Sequence, residues 1–167
     1  VSYVTPFRYT RLIFSLIIAA LFCQMRLLCN LFDGMVAIEA GKSAPDGPFW
    51  NEFPDRVADI MIFAGVGLGL GLPALGFAAA AMAVLTAYTR ELGGSIGLEP
   101  NFCGPMAKQH RMALITGAAL LAIFEPLFLA QGSVLTIALW AVIIGAIVTC
   151  ARRASAIRRA LFENSTS

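Results

Sequence analysis

Residues 57–89 read VADIMIFAGVGLGLGLPALGFAAAAMAVLTAYT, a run long enough for two membrane helices and interrupted by a proline. A helix crossing a hydrocarbon core of about 30 Å needs about 20 mostly apolar residues. Pro73 cannot continue a helix that already needs its amide, so the run divides into 57–73 and 74–89 with a tight turn between them. Gly65, Gly67, Gly69 and Gly71 stand at alternate positions just before that turn. Small residues let helix backbones approach closely in a membrane, and no GKS/T follows to make a phosphate loop.

Three further stretches have the same character: 12–32 (LIFSLIIAALFCQMRLLCNLF), 112–130 and 134–150. The expected fold is therefore all-α, a polytopic integral membrane helix bundle of five spans forming one domain over 1–167. Composition agrees. Of 167 residues, 59% are hydrophobic and 13% charged, with a mean hydropathy of +0.79. An average soluble domain is about 45–50% apolar and about 25% charged. A soluble globule, a disordered chain and a nucleic-acid binder are excluded, the last also by a net charge of only +2. Cys23, Cys29, Cys103 and Cys150 form no CxxC pair, which favours isolated thiols over a disulfide frame. No stretch reads as a cleavable signal, and the chain begins at Val1, as a processed chain or a fragment would.

Polar residues gather in 38–54, in 90–111 and in a basic tail, 151–167. With all three on the cytoplasmic side, ten of the twelve Lys and Arg residues lie at or near that side and only Arg8 and Arg11 lie outside. The positive-inside rule asks for that asymmetry. The tail (ARRASAIRRA) then either lies on anionic lipid or acts as a stop-transfer anchor.

Ionisable residues at span boundaries point to function. Arg26, Asn30 and Asp33 follow i, i+4, i+7 spacing and share a helix face, as do Asp55 and Asp59 one turn apart. Like charges four residues apart destabilise a helix unless neutralised, and a hard divalent cation neutralises oxygen ligands well. Two readings follow: a metal site near one membrane boundary, or first-turn helix acids paired with Arg56 and Arg26. Gly34 and Ala37 keep the Asp33 face small.

Here the chain resembles the CDP-alcohol phosphatidyltransferases, whose signature is D-x2-D-G-x2-A-R, a gap, then G-x3-D-x3-D. The matching residues are Asn30, Asp33, Gly34, Ala37 and Ile38, then Asn51, Asp55 and Asp59. Asn30 replaces the first Asp, Ile38 the Arg and Asn51 the Gly, and the gap of twelve residues is longer than the family's. The resemblance continues at Ala87-Tyr88-Thr89-Arg90 and at Gly104-Pro105-Met106-Ala107-Lys108-Gln109-His110-Arg111. It implies a divergent bacterial-type member lacking the first of the family's six membrane helices.

The resemblance further implies transfer of a phosphatidyl group from CDP-diacylglycerol to an alcohol, with release of CMP, using Mg²⁺ or Mn²⁺. By position, Asp33, Asp55, Asp59 and Asn30 would hold metal, with Asp59 also the general base. Gly34 and Ala37 would line the nucleotide site. Arg90, Lys108 and Arg111 would bind a phosphorylated acceptor such as glycerol 3-phosphate or inositol phosphate, or else act as positive-inside anchors. The active site would face the cytoplasm from a bacterial inner membrane, with membrane lipids around it and a homodimer as the assembly. Two other classes stay open: a cation- or proton-coupled transporter, and a lipid-binding homologue weakened by Asn30 and Ile38. His110 and Cys103 make a poor zinc pair, and Glu125 reads as an interface cap.

Overall fold

In the computed structural model, residues 6–39, 47–98, 104–127 and 129–166 are described, and they are helical throughout apart from turns. The elements in chain order are α1 (Pro6–Glu39), α2 (Gly47–Gly69), α3 (Pro73–Ser95), α4 (Lys108–Ala122), a short 3-10 turn (Glu125–Leu127) and α5 (Ser133–Thr166). They pack as two compact units, Val1–Asn51 with Met112–Ala138 and Glu52–Arg111 with Leu139–Ser167.

Local chemistry explains the boundaries within the second unit. The α2 helix ends in a Schellman motif: the Leu72 amide donates to the Gly67 carbonyl at 2.8 Å and the Gly71 amide to Leu68 at 3.1 Å. That motif needs a left-handed residue, supplied by Gly71 at φ +71°, and Pro73 then opens α3. The α3 helix closes the same way, with Gly97 at φ +81° and the Leu98 amide donating to Gly93.

Between the two helices the backbones meet at Gly67 and Gly76. A Cβ on Gly76 would lie 2.6 Å from the Phe63 carbonyl oxygen and 2.7 Å from the Gly67 Cα. Both obstacles are backbone, so neither can swing aside. Gly76→Ala is therefore expected to destabilise the protein by about 1–3 kcal/mol, the usual range for overpacking. Gly65→Ala, whose Cβ meets nothing within 4 Å, is the control and should leave stability equal or slightly higher. Thermal unfolding of the two variants in one detergent checks the contrast. The buried residues of this unit are mostly small on α3 (Ala79, Ala80, Ala83 and Ala87), with Phe63 on α2 and Leu139, Val142 and Ala146 on α5.

Within the first unit, the apolar stretch 112–130 does not form one helix. The α4 helix stops at Ala122. Glu125 turns inward, almost wholly buried, and accepts the amides of Gly132 (2.7 Å) and Val134 (2.6 Å). A carboxylate at the N-terminus of α5 satisfies amides that have no intrahelical acceptor and sits at the positive end of the helix dipole. Glu125 thus caps a helix of its own chain.

The other helices run past the spans expected from the sequence, α1 over Pro6–Glu39 and α3 over Pro73–Ser95 among them. The α2 helix begins at Gly47 instead of near residue 57, and takes Pro54 into its interior at the loss of one backbone hydrogen bond. The α5 helix runs through the basic tail, because 151–166 contains no Gly or Pro to stop it. At 34 residues it is roughly 51 Å long, well beyond a hydrocarbon core of about 30 Å.

Among the described residues one helix, Ser133–Glu163, is long and apolar enough to cross a membrane, and Ile13–Arg26 is a shorter apolar stretch. Large apolar side chains are exposed on α1 (Phe14, Phe22), α2 (Met61, Leu68), α3 (Phe77) and α5 (Ile137, Ile144). Exposed apolar surface on this scale suits lipid contact.

Candidate active site

Asp55 and Asp59 stand one turn apart on α2, at 3% and 0% exposure. Isolated carboxylates do not survive such burial in charged form, so the surrounding cations decide what the pair can do. Lys108, the first residue of α4, donates its ammonium to Asp55 Oδ2 in a short contact. Arg111, one turn further along, donates Nη2 to Asp59 Oδ2 at 2.9 Å. The i, i+3 spacing of Lys108 and Arg111 puts both on one helix face, as the i, i+4 spacing does for the two acids. Two helical spacings thereby bring two acid–base pairs together.

Arg56 lies beside both acids, with Nη1 3.7 Å from Asp59 Oδ2 and Nη2 4.0 Å from Asp55 Oδ2. Its Nη2 is also 3.6 Å from Glu52. Glu52 in turn pairs with Arg90 Nη2 at 2.5 Å, and Arg90 reaches Glu91 at 2.9 Å. Arg90, Lys108 and Arg111, grouped at the sequence level as a basic set, therefore all contact acids that belong to or adjoin the signature segment. Their environments differ. Arg90 and Lys108 keep 16% and 23% of their side chains exposed, whereas Arg111 keeps 1%.

Behind Arg111 is a buried polar network that sequence reasoning missed. Arg111 Nη1 donates to Thr86 Oγ1 (2.6 Å) and to the Met106 carbonyl (3.0 Å). Arg153 Nη1 donates to the Thr86 carbonyl at 2.6 Å. The Met106 amide donates to Thr149 Oγ1 at 3.1 Å. Gly104 faces the same threonine: a Cβ there would lie 2.4 Å from Thr149 Cγ2. Arg153 belongs to a doublet that reads as tail charge, and only the depth of its side chain, 4% exposed, distinguishes it from Arg152. Thr86 in an alanine-rich run gives no signal beyond its polarity.

Asn30, Asp33, Gly34 and Ala37 occupy the last turns of α1, and their side chains lie outside the described residues. Among the described residues no group of three or more Asp, Glu, His or Cys side chains gathers as a metal cluster. The donor chemistry at Asp55 and Asp59 nevertheless fits a hard divalent cation, since both side chains offer carboxylate oxygens. In this arrangement the carboxylates would serve as oxygen ligands or proton acceptors, and the flanking cations would suit phosphate-rich groups.

The chain is similar to two curated synthases. It is 33% identical, in an alignment of 138 positions that covers 78% of its length, to a phosphatidylinositol phosphate synthase of Streptomyces avermitilis. It is 27% identical over 131 residues, again 78% of its length, to an archaetidylinositol phosphate synthase of Aeropyrum pernix. The chain spans 57% of the first relative's length and 68% of the second's. No protein-family model matches it. No solved structure matches it either.

Proposed function

We propose that this chain, which belongs to the CDP-alcohol phosphatidyltransferase family, transfers a phosphatidyl-type group from a CDP-activated lipid to a phosphorylated alcohol and releases CMP. The observation that carries this reading is the buried Asp55–Asp59 pair, one turn apart on α2 and matched by Lys108 and Arg111 on α4. A transporter relay would need acids that change partners, and these are held by four-point cationic contact instead.

Asp55 and Asp59 would hold Mg²⁺ or Mn²⁺, with Asp33 and Asn30 added by their place in the signature. When bound, such a metal offsets diphosphate charge and polarises the phosphoryl group. The chain's own residues do the rest. Asp59 takes the proton of the acceptor hydroxyl as it attacks phosphorus, and CMP leaves. Lys108 and Arg90, partly exposed, bind the acceptor phosphate, arginine by its fork and lysine as a point charge. Arg111 adds its charge from a buried position. Gly34 and Ala37 line the nucleotide site. The names of both relatives favour inositol phosphate over glycerol 3-phosphate as the acceptor.

Several finer features belong to the same reading. The protein is a membrane protein with several spans, seated in a bacterial inner membrane with its site toward the cytoplasm. Membrane lipids surround it, and it pairs as a homodimer.

Ligand protection tests the site without relying on turnover. A ligand that binds only the folded state raises stability by about 2.7 kcal/mol at a hundred times its dissociation constant. CMP is expected to raise the unfolding temperature in the presence of Mn²⁺ and to lose that effect on addition of EDTA. Protection that is equal with and without metal, or absent over a wide CMP range, would contradict the nucleotide–metal site.

A further inference from the structure

We propose that Thr86 is a positioning residue for Asp59, acting through Arg111; this rests on the functional reading above. Thr86 sits on α3 at 1% exposure, with its hydroxyl donating to the Ala83 carbonyl at 2.7 Å. A hydroxyl has one proton, so with that proton committed to Ala83 the oxygen can only accept from Arg111. It does so at 2.6 Å. The backbone of the same residue is also occupied, since its carbonyl accepts from Arg153 Nη1 at 2.6 Å and from Thr89 Oγ1 at 3.0 Å. Thr86 is thus an anchored acceptor with a fixed direction.

Arginine converts that anchor into a constraint on the carboxylate. The guanidinium is planar and rigid, so holding Nη1 at two acceptors determines where Nη2 lies. Thr86 Oγ1 and the Met106 carbonyl are those two acceptors, and Met106 is itself tied to Thr149 on α5. With Nη1 so placed, Nη2 meets Asp59 Oδ2 at 2.9 Å. One oxygen of the carboxylate is therefore fixed from α3, from the loop before α4 and from α5 through a single side chain. Partners of this kind, one step removed from a ligand, typically change metal affinity or activity by about 10–100-fold when lost.

The test compares the full chain with Thr86→Val, Thr86→Ser and Arg111→Lys in nanodiscs. Mn²⁺ binding is read from the electron paramagnetic resonance signal of free Mn²⁺, alongside kcat and KM for CMP release from CDP-diacylglycerol. Thr86→Val keeps the shape and removes the acceptor, and is expected to weaken Mn²⁺ binding about tenfold and lower kcat by about the same factor. KM for the CDP-lipid should stay within about twofold, because substrate contacts are untouched. Thr86→Ser should restore both quantities to within about threefold, since it returns the hydroxyl.

A purely architectural threonine would behave otherwise. Thr86→Val would then lower the unfolding temperature and leave the Mn²⁺ dissociation constant and kcat at their wild-type values, which overturns the proposal. Should Thr86→Val fail to fold, Arg111→Lys carries the test. Lysine keeps the charge but cannot span Thr86, Met106 and Asp59 together, so the same Mn²⁺ weakening is expected and unchanged binding overturns the proposal. A wild-type chain that neither binds Mn²⁺ nor releases CMP would remove the functional reading itself. An active wild type with an unaltered Thr86→Val removes the Thr86 role alone.

Discussion

Asp59→Asn is expected to lower metal-dependent CMP release by about 10²–10⁴-fold, the range associated with loss of a general base. Asparagine has nearly the same shape and can still accept from Arg111, but it cannot take a proton at neutral pH and is a poorer metal ligand. The substitution has a second consequence, because Asp59 is fully buried against a fully buried arginine. Removing one member leaves a desolvated charge without its counter-charge, so stability falls together with activity. The double variant Asp59→Asn/Arg111→Met separates the two effects. It removes both charges and is expected to recover most of the lost stability while release stays at the Asp59→Asn level. Recovery of release in the double variant would show that Asp59 supports folding alone.

The second large effect concerns that arginine. Arg111→Met is expected to destabilise the protein by about 3–5 kcal/mol, as removal of one partner from a buried ion pair usually does. Asp59, Thr86 and the Met106 carbonyl, which accept hydrogen bonds from it, would all lose a donor at once. Adding Asp59→Asn should bring stability back to within about 1–2 kcal/mol of wild type, since a neutral pair of similar volume is often tolerated. The cycle is read by denaturant or thermal unfolding of all four proteins in one detergent. Strictly additive losses would mean that Arg111 and Asp59 do not stabilise each other.

Sequence reasoning located the acids for a simple physical reason. A carboxylate beside an apolar helix has few benign explanations, and two of them one turn apart have fewer. The turn at Gly71 and Pro73 was legible on similar grounds, since each residue is restricted to backbone shapes that end or begin helices. Pairing was less legible. Arg56 could be assigned to the acids because it lies between them in sequence, whereas the Lys108–Asp55 and Arg111–Asp59 pairs join positions 53 and 52 residues apart.

Local chemistry hid other features. Arg111 and Arg153 look like boundary anchors in a linear pattern, and burial alone separates them from the exposed Arg152. A hydropathy window treats 112–130 as continuous, yet one inward-facing carboxylate, Glu125, redirects the chain there. The 151–166 segment reads as polar and hence as a tail, although the absence of Gly and Pro leaves nothing to end α5 before it.

CMP release by the full chain in nanodiscs is the measurement that bears most directly on the proposed reaction. It needs CDP-diacylglycerol, Mg²⁺ or Mn²⁺, and a choice of acceptors that includes inositol phosphate and glycerol 3-phosphate. Release is expected to require both the metal and a phosphorylated alcohol, and to disappear in Asp59→Asn. Folded protein that releases no CMP with any acceptor at any metal concentration would contradict the transferase account.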